Sequence, residues 1–256
     1  MLRVATLNAN GIRSSARKGV ADWLRRIAPD VIAIQELKAH ERQVPPEIQG
    51  LGDYHATYVA AQKKGYSGVA LLSRRAPDRI VRELGMPDMD AEGRFVRYDF
   101  GPLSVVSLYI PSGTSGLARQ AVKYSFMERF LPRLAAMRRE RRRYIVCGDF
   151  NIAHREIDVH DPKNCSRLTG FLPAERKWLD TIVDDVGWCD AFRRFDRRAQ
   201  QYTWWSSRVN AFERNLGWRL DYQLVSPALG TTIARAEIFR DERFSDHAPL
   251  IVDYDV

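Results

Sequence analysis

An α/β domain of two packed sheets with helices on the outside is the fold this sequence predicts. Three observations predict it. Ten short apolar segments read as strands, and several are continuous apolar runs of the kind covered on both faces. Only three segments have helical spacing. The 256 residues, 45% of them hydrophobic, contain no repeat, low-complexity tract or linker, so one domain spanning 1–256 is expected.

The elements follow in order. The chain opens on a strand, Arg3 to Leu7. Val20, Trp23, Leu24 and Ile27 recur at helical spacing and predict a helix over Lys18 to Ala28. Strands are expected at Val31 to Ile34, His55 to Ala60, Val69 to Ser73, Phe95 to Phe100 and Ser104 to Tyr109. Leu117 to Arg142 reads as a long helix kinked or broken at Pro132. After a strand at Tyr144 to Cys147, Pro173 suits the first turn of a helix and Gly187 its stop, giving Pro173 to Val186. The last strands are Arg219 to Val225, Thr232 to Phe239 and Pro249 to Tyr254.

Charge and cysteine usage bound the function. Forty Lys and Arg against 32 Asp and Glu give +8, a balance that attracts polyanions such as nucleic acid or simply keeps the chain soluble. Cys147, Cys165 and Cys189 are odd in number and widely spaced, which speaks against a disulfide framework or a zinc site and for a reducing, cytoplasmic setting. No run of about 18 apolar residues is present, so no membrane span is expected. The basic run Arg138 to Arg143 reads as a solvated helix end, where cations favour the helix dipole, rather than as a nucleic-acid motif.

Polar and ionisable residues gather where the apolar strands end. RVATL runs into Asn8, VIAI into Gln35 and Glu36, SVVSL into Tyr109, and YIVC into Gly148, Asp149, Phe150 and Asn151. Asp221 lies inside an apolar strand, where a carboxylate needs a partner. Ser245, Asp246 and His247 precede the last strand. Any one of these has a bland reading as a turn former, a solvated end or a core histidine. Together they suit phosphoryl hydrolysis with a hard cation, because carboxylate and amide oxygens without thiolates favour Mg²⁺ or Mn²⁺. Asp246 and His247 are neighbours in extended chain and should diverge, so Asp221 is the expected partner of His247.

The motifs LNANGIR, IQELK, GYSGVALLSR, EGRFV, YIPSG, GDFNIAH, GFLPAER, YTWW, GWRLDYQLVSP and FSDHAPLIVDYD span nearly the whole chain. In this order they resemble the exonuclease III-type apurinic/apyrimidinic endonucleases of the endonuclease/exonuclease/phosphatase superfamily. The resemblance implies a four-layer αββα sandwich of two mixed sheets, DNase I-like. It also implies cleavage of double-stranded DNA 5′ to an abasic site, leaving a 3′-hydroxyl, with 3′-5′ exonuclease or 3′-end trimming, by a monomer. By resemblance, Glu36 holds the metal, with Asn8 and Asp246 lining that region and Asn10 standing where some relatives carry Asp. Asp149 positions the attacking water, Asn151 and Tyr109 contact the phosphate, and His247 with Asp221 stabilises its charge. Trp204, Trp218 and Leu220 form the pocket for a flipped abasic sugar, while Trp205 is expected in the core. Arg13, Lys18, Tyr66 and Arg94 match backbone-contacting positions, and Arg208 is a candidate wedge into the duplex.

One departure stands out. The loop PKNCSRLTG carries Cys165 and Leu168 where many relatives carry asparagines, which bears on the balance between abasic cleavage and 3′-end trimming. The chain also resembles a catabolite-repression-control protein, a regulatory binding module of the same fold whose catalytic positions are degraded. Those positions are intact here. A phosphodiesterase acting on lipid or inositol phosphates is the third reading, which the basic balance and the tryptophan segments disfavour.

Overall fold

In the computed structural model, which describes residues 1–208 and 210–256, the two sheets have six strands each. The first runs β13 (Ile233–Ile238), β14 (Leu250–Tyr254), β1 (Leu2–Asn8), β2 (Val31–Gln35), β4 (Val69–Ser73) and β3 (His55–Val59). The second runs β5 (Arg79–Val81), β6 (Phe95–Phe100), β7 (Leu103–Tyr109), β8 (Arg143–Asp149), β12 (Asp221–Val225) and β9 (Cys189–Asp190). A ribbon of β10 (Trp204–Trp205) and β11 (Gly217–Trp218) stands apart. β1 with β2 and β7 with β8 are parallel, and the other pairings are antiparallel.

The continuous apolar runs are explained by period two. In β2, Val31 and Ala33 enter the core between the sheets, while Ile32 and Ile34 face Trp23 and Leu24 of the Val20–Ile27 helix. In β8, Ile145 and Cys147 face between the sheets, while Tyr144 and Val146 face Phe126, Phe130 and Leu134 of the Leu117–Arg139 helix. The apolar residues of such a strand are all buried because each face has its own core. The result is four layers, helix–sheet–sheet–helix, as the motifs imply. Truncating Phe130, which is fully buried, would cost about 3–5 kcal/mol.

The structure corrects several boundaries. The helix expected over Lys18 to Ala28 runs Val20–Ile27, starting after Gly19 in the left-handed conformation, and a separate short helix, Ile12–Arg17, precedes it without having been expected. Pro132 does not break its helix: it faces solvent, where the carbonyl it leaves unpaired can bond water. That helix ends at Arg139, and Arg142 turns back to bond Ser104 Oγ at 2.8 Å and to pair with Asp99. The Pro173 helix is α only to Asp180 and continues as a π-turn, Thr181–Asp185. The strand expected from Arg219 begins at Asp221, because Thr203 Oγ1 takes the N–H groups of Leu220 and Asp221. The short strands β5, β9, β10 and β11 carry too few residues to leave a periodic signal.

This topology collects strand ends. Because β1 and β2 are parallel, as are β7 and β8, their C-terminal ends share one edge of the sandwich. The antiparallel β12 and β14 begin at that same edge. Gly148 permits it: a Cβ there would lie 1.9 Å from the Leu108 carbonyl oxygen of the neighbouring strand. Among the described residues, no helix is long and apolar enough to cross a membrane.

Candidate active site

Register brings the carboxylates together. β12 and β8 pair so that Asp221 lies directly opposite Asp149, and β7 and β8 pair Tyr109 with Asp149. Two carboxylates in that relation repel. His247, entering ahead of β14, relieves this by bonding Asp221 Oδ2 through Nδ1 at 2.8 Å, with Nε2 3.9 Å from Asp149 Oδ2. Asp221, not the adjacent Asp246, orients the imidazole. Asp149, Asp221 and His247 form a buried trio with one ligand atom from each within 4.8 Å of the others.

The electrostatics follow from this packing. Burial pushes the Asp149 carboxyl well above its ordinary range; His247 opposes the shift and Asp221 adds to it. Burial alone would lower the His247 pKa, but Asp221 and Asp149 outweigh it and raise it. The site therefore pairs a basic carboxylate with a cationic imidazole. Asp149 is also held at both oxygens. Asn8 Nδ2 donates to Oδ2 at 2.9 Å, and Asn151 donates its backbone N–H to Oδ1 at 2.7 Å and its amide to Oδ2 at 3.2 Å. Asn8 is itself fixed, because its Oδ1 accepts the Asn10 N–H at 2.9 Å. It braces Asp149 from the other sheet, with both ends of its amide engaged.

Above the trio opens a cleft of about 780 Å³. Glu36 and Lys38 line it and form an ion pair at 3.0 Å. Asn10, Glu36, Lys38 and Asn151 all line the cleft and all have positive φ, so backbone strain is concentrated there. Asp246 accepts from Asn10 Nδ2 at 2.8 Å and Trp204 Nε1 at 3.1 Å, and these bonds, with His247, hold its pKa low against the effect of burial. Tyr109 is kept protonated by burial and by the charges of Glu36 and Asp149. Trp204, Trp218 and Leu220 line the far wall, the two indoles edge to face with centroids 6.4 Å apart. Behind them Cys165 is buried against Trp218, Leu220 and Phe171, while Leu168 is 51% exposed on the rim. Trp205 is buried in a separate cluster, as expected.

Residues 5–247 match the Endonuclease/Exonuclease/phosphatase family. The chain belongs to that family. It is 33% identical over 252 residues to the DNA repair nuclease APEX1 of Danio rerio, covering 97% of this chain and 81% of that protein. It is 34% identical over 251 residues to an exodeoxyribonuclease of Bacillus subtilis (strain 168), covering 97% of this chain and 98% of that one. Among solved structures, an AP endonuclease from Archaeoglobus fulgidus superposes with a TM-score of 0.90 at 30% identity, each chain fully covered.

In this endonuclease/exonuclease/phosphatase chain the residues matched to DNA-backbone contacts separate. Tyr66 lines the main cleft, Arg13 and Lys18 are exposed in shallower grooves beside it, and Arg208 is exposed but lines none of these hollows. Arg94 departs from a contact role. It is 1% exposed and spends its guanidinium on Glu92, the Tyr109 carbonyl and the Tyr66 hydroxyl. It fixes Tyr109 from beneath, with its cation 4.8 Å from the ring centroid. The more exposed cation of that group is Arg119, which reaches Glu92 at 3.3 Å and Tyr66 at 2.7 Å. Burial alone would raise the Glu92 pKa, but Arg94 and Arg119 lower it. Arg119 and Lys38 escaped the sequence reading; Lys38 stood in the quoted IQELK motif, whereas Arg119 had only its place near the start of a helix.

A further buried pair stands behind Asn151. Lys123, fully buried, donates Nζ to the Asn151 carbonyl at 2.7 Å and to Glu175. Glu175 in turn accepts the N–H groups of Gly170 and Leu172 at 2.7 and 3.0 Å. The left-handed turn at Asn151 and the loop carrying Leu168 are thus tied to one ion pair.

Proposed function

We propose that this chain is a DNA-repair phosphodiesterase. It cleaves double-stranded DNA 5′ to an abasic site, leaving a 3′-hydroxyl, and trims 3′ ends. The observation that carries the reading is Asp149, held at both oxygens and facing the Asp221–His247 pair beneath an apolar tryptophan wall. A raised-pKa carboxylate in that position can take a proton from water as the water attacks phosphorus. A protonated His247 stabilises the charge that develops on the phosphoryl oxygens. Asn151 and protonated Tyr109 offer donors to the same phosphate. Trp204, Trp218 and Leu220 accept a flipped sugar that lacks a base, and Arg13, Lys18 and Tyr66 contact the backbone.

The donor set fits a hard divalent cation, Mg²⁺ or Mn²⁺. Glu36 presents a carboxylate in the cleft, Asp246 lines the same cleft, and the buried Oδ1 of Asp221 has no hydrogen-bond partner among the described residues. When bound, the cation neutralises phosphate charge and lowers the pKa of a water. Asn8 serves this region by bracing Asp149. The protein acts as a cytoplasmic monomer.

The test is cleavage of an abasic duplex and of an undamaged recessed-end duplex with Mg²⁺, with EDTA as control. Incision at the abasic site that stops in EDTA and returns with Mg²⁺ is expected; full activity in chelator refutes the metal. One observation favours a second reading. Exposed Leu168 at the rim, with Cys165 behind it, replaces polar groups and shifts the balance toward 3′-end trimming. Faster digestion of the recessed end than of the abasic site would select it.

A further inference from the structure

A second cavity, of about 660 Å³, lies on the other side of the segment that carries Trp218 and Asp221. It shares no lining residue with the catalytic cleft. Its charge is unusual. Five arginines line it against two aspartates, a surplus of three positive charges. Arg193 and Arg219 account for the aspartates. Arg219 bonds Asp158 at 2.8 Å and lies 2.8 Å from Asp190, and Arg193 bonds Asp158 at 3.0 Å. The surplus sits on Arg155, Arg194 and Arg197, all exposed, whose guanidiniums have no carboxylate partner among the described residues. Arg219 is itself fully buried, and its Nη1 has no hydrogen-bond partner among the described residues. Apart from His154, which is engaged by Asp180, the remaining wall is apolar, with Ile157 37% exposed and Val183 half-buried.

Guanidiniums present planar pairs of donors that suit phosphate oxygens. An exposed apolar wall beside them suits a flat organic body, and the volume is that of a small-molecule site. We propose that this cavity binds a small phosphorylated molecule of the nucleoside phosphate class, its phosphate on Arg155, Arg194 and Arg197 and its base against Ile157 and Val183. Such a ligand would be held independently of the catalytic cleft.

The probes are 5′-dAMP and inorganic phosphate, titrated calorimetrically in EDTA into the wild type, an Arg194→Glu/Arg197→Glu variant and a Trp218→Ala variant. Wild type and Trp218→Ala should both bind dAMP in the cavity, more tightly than phosphate. The double arginine variant should lose affinity by about tenfold or more. It should unfold within about 2 °C of wild type, because both positions are exposed, and should cleave DNA at the wild-type rate. Added dAMP should raise the unfolding temperature of Trp218→Ala and not that of the arginine variant in the Trp218→Ala background. Binding lost in Trp218→Ala but kept in the arginine variant would assign the nucleotide to the catalytic cleft and overturn the proposal. No binding at millimolar dAMP would also overturn it. So would a variant that loses duplex DNA binding while keeping dAMP binding, since the arginines would then be a DNA-facing patch.

Discussion

Asp149 and Asp158 are each 1% exposed, yet their chemistry runs in opposite directions. Burial raises the pKa of both. At Asp149 it prevails, because the strand partner is another carboxylate and the imidazolium of His247 is shared with it. At Asp158 two guanidiniums, Arg219 and Arg193, overcome burial and hold the carboxyl far below its usual range. The difference teaches that burial makes a carboxylate sensitive, and that the neighbouring charges decide whether it becomes a base or a structural anchor. The two lie either side of one short stretch, since Arg219 belongs to the anchor and Asp221 to the base.

Replacing each aspartate should break the comparison in opposite ways. Asp149→Asn should lower the cleavage rate by about 10³-fold, read as kcat on an abasic duplex with Mg²⁺. Its unfolding temperature should match or exceed wild type, because a poorly compensated buried charge is gone. A variant that cleaves normally would remove Asp149 from the chemistry. Asp158→Asn should do the reverse. Losing it strands Arg219 and Arg193 and should cost about 3–5 kcal/mol in denaturant unfolding. A loss under 1 kcal/mol would mean the network is already solvated.

Lys123→Met tests a pair of the anchoring kind placed next to the base. It should reduce kcat by roughly tenfold with KM little changed, because the Asn151 carbonyl is released and Asn151 no longer aims its amide reliably. An equal fall in kcat and in stability-limited active fraction would reduce it to scaffold.

The pH dependence sharpens the same contrast without a mutation. The folded pKa of Asp158 is depressed, so its contribution is present above the ordinary carboxylate pKa, near 4, and is lost as the solution becomes more acid. The folded pKa of Asp149 is raised, so the folded state holds a proton that the unfolded chain has released. Stability in metal-free buffer should therefore decline as pH rises from about 4 toward neutrality. Unfolding of wild type against Asp149→Asn over that range should show the decline only in wild type. Parallel curves would contradict the raised pKa. The smallest effect is at the tryptophan wall: Trp218→Ala should weaken abasic incision a few-fold more than 3′-end digestion.

Much of this was legible in the sequence. Continuous apolar runs announced strands buried on both faces, and their polar terminations announced the cleft. Asp221 stands out in the sequence as a carboxylate within an apolar strand, and it does contact His247. The less legible features arise from contacts across the two sheets. Asn8 reaches Asp149 across a sequence separation of 141, which local pattern does not encode. Arg94 had the chemistry of a phosphate contact, but only its packing under Tyr109 reveals that it is buried and engaged. The left-handed turn at Glu36 and the two-residue ribbon of Trp204 and Trp218 depend on neighbours rather than on propensity.

Gly148 carries a constraint that reaches the gene. The position before Asp149 has no side chain to contribute, and the Leu108 carbonyl leaves no room for one. Any codon change that adds a Cβ must push β8 away from β7 and carry Asp149 out of line with Asp221. The gene is therefore constrained at an atom that is absent from the protein, next to the buried carboxylate that faces His247.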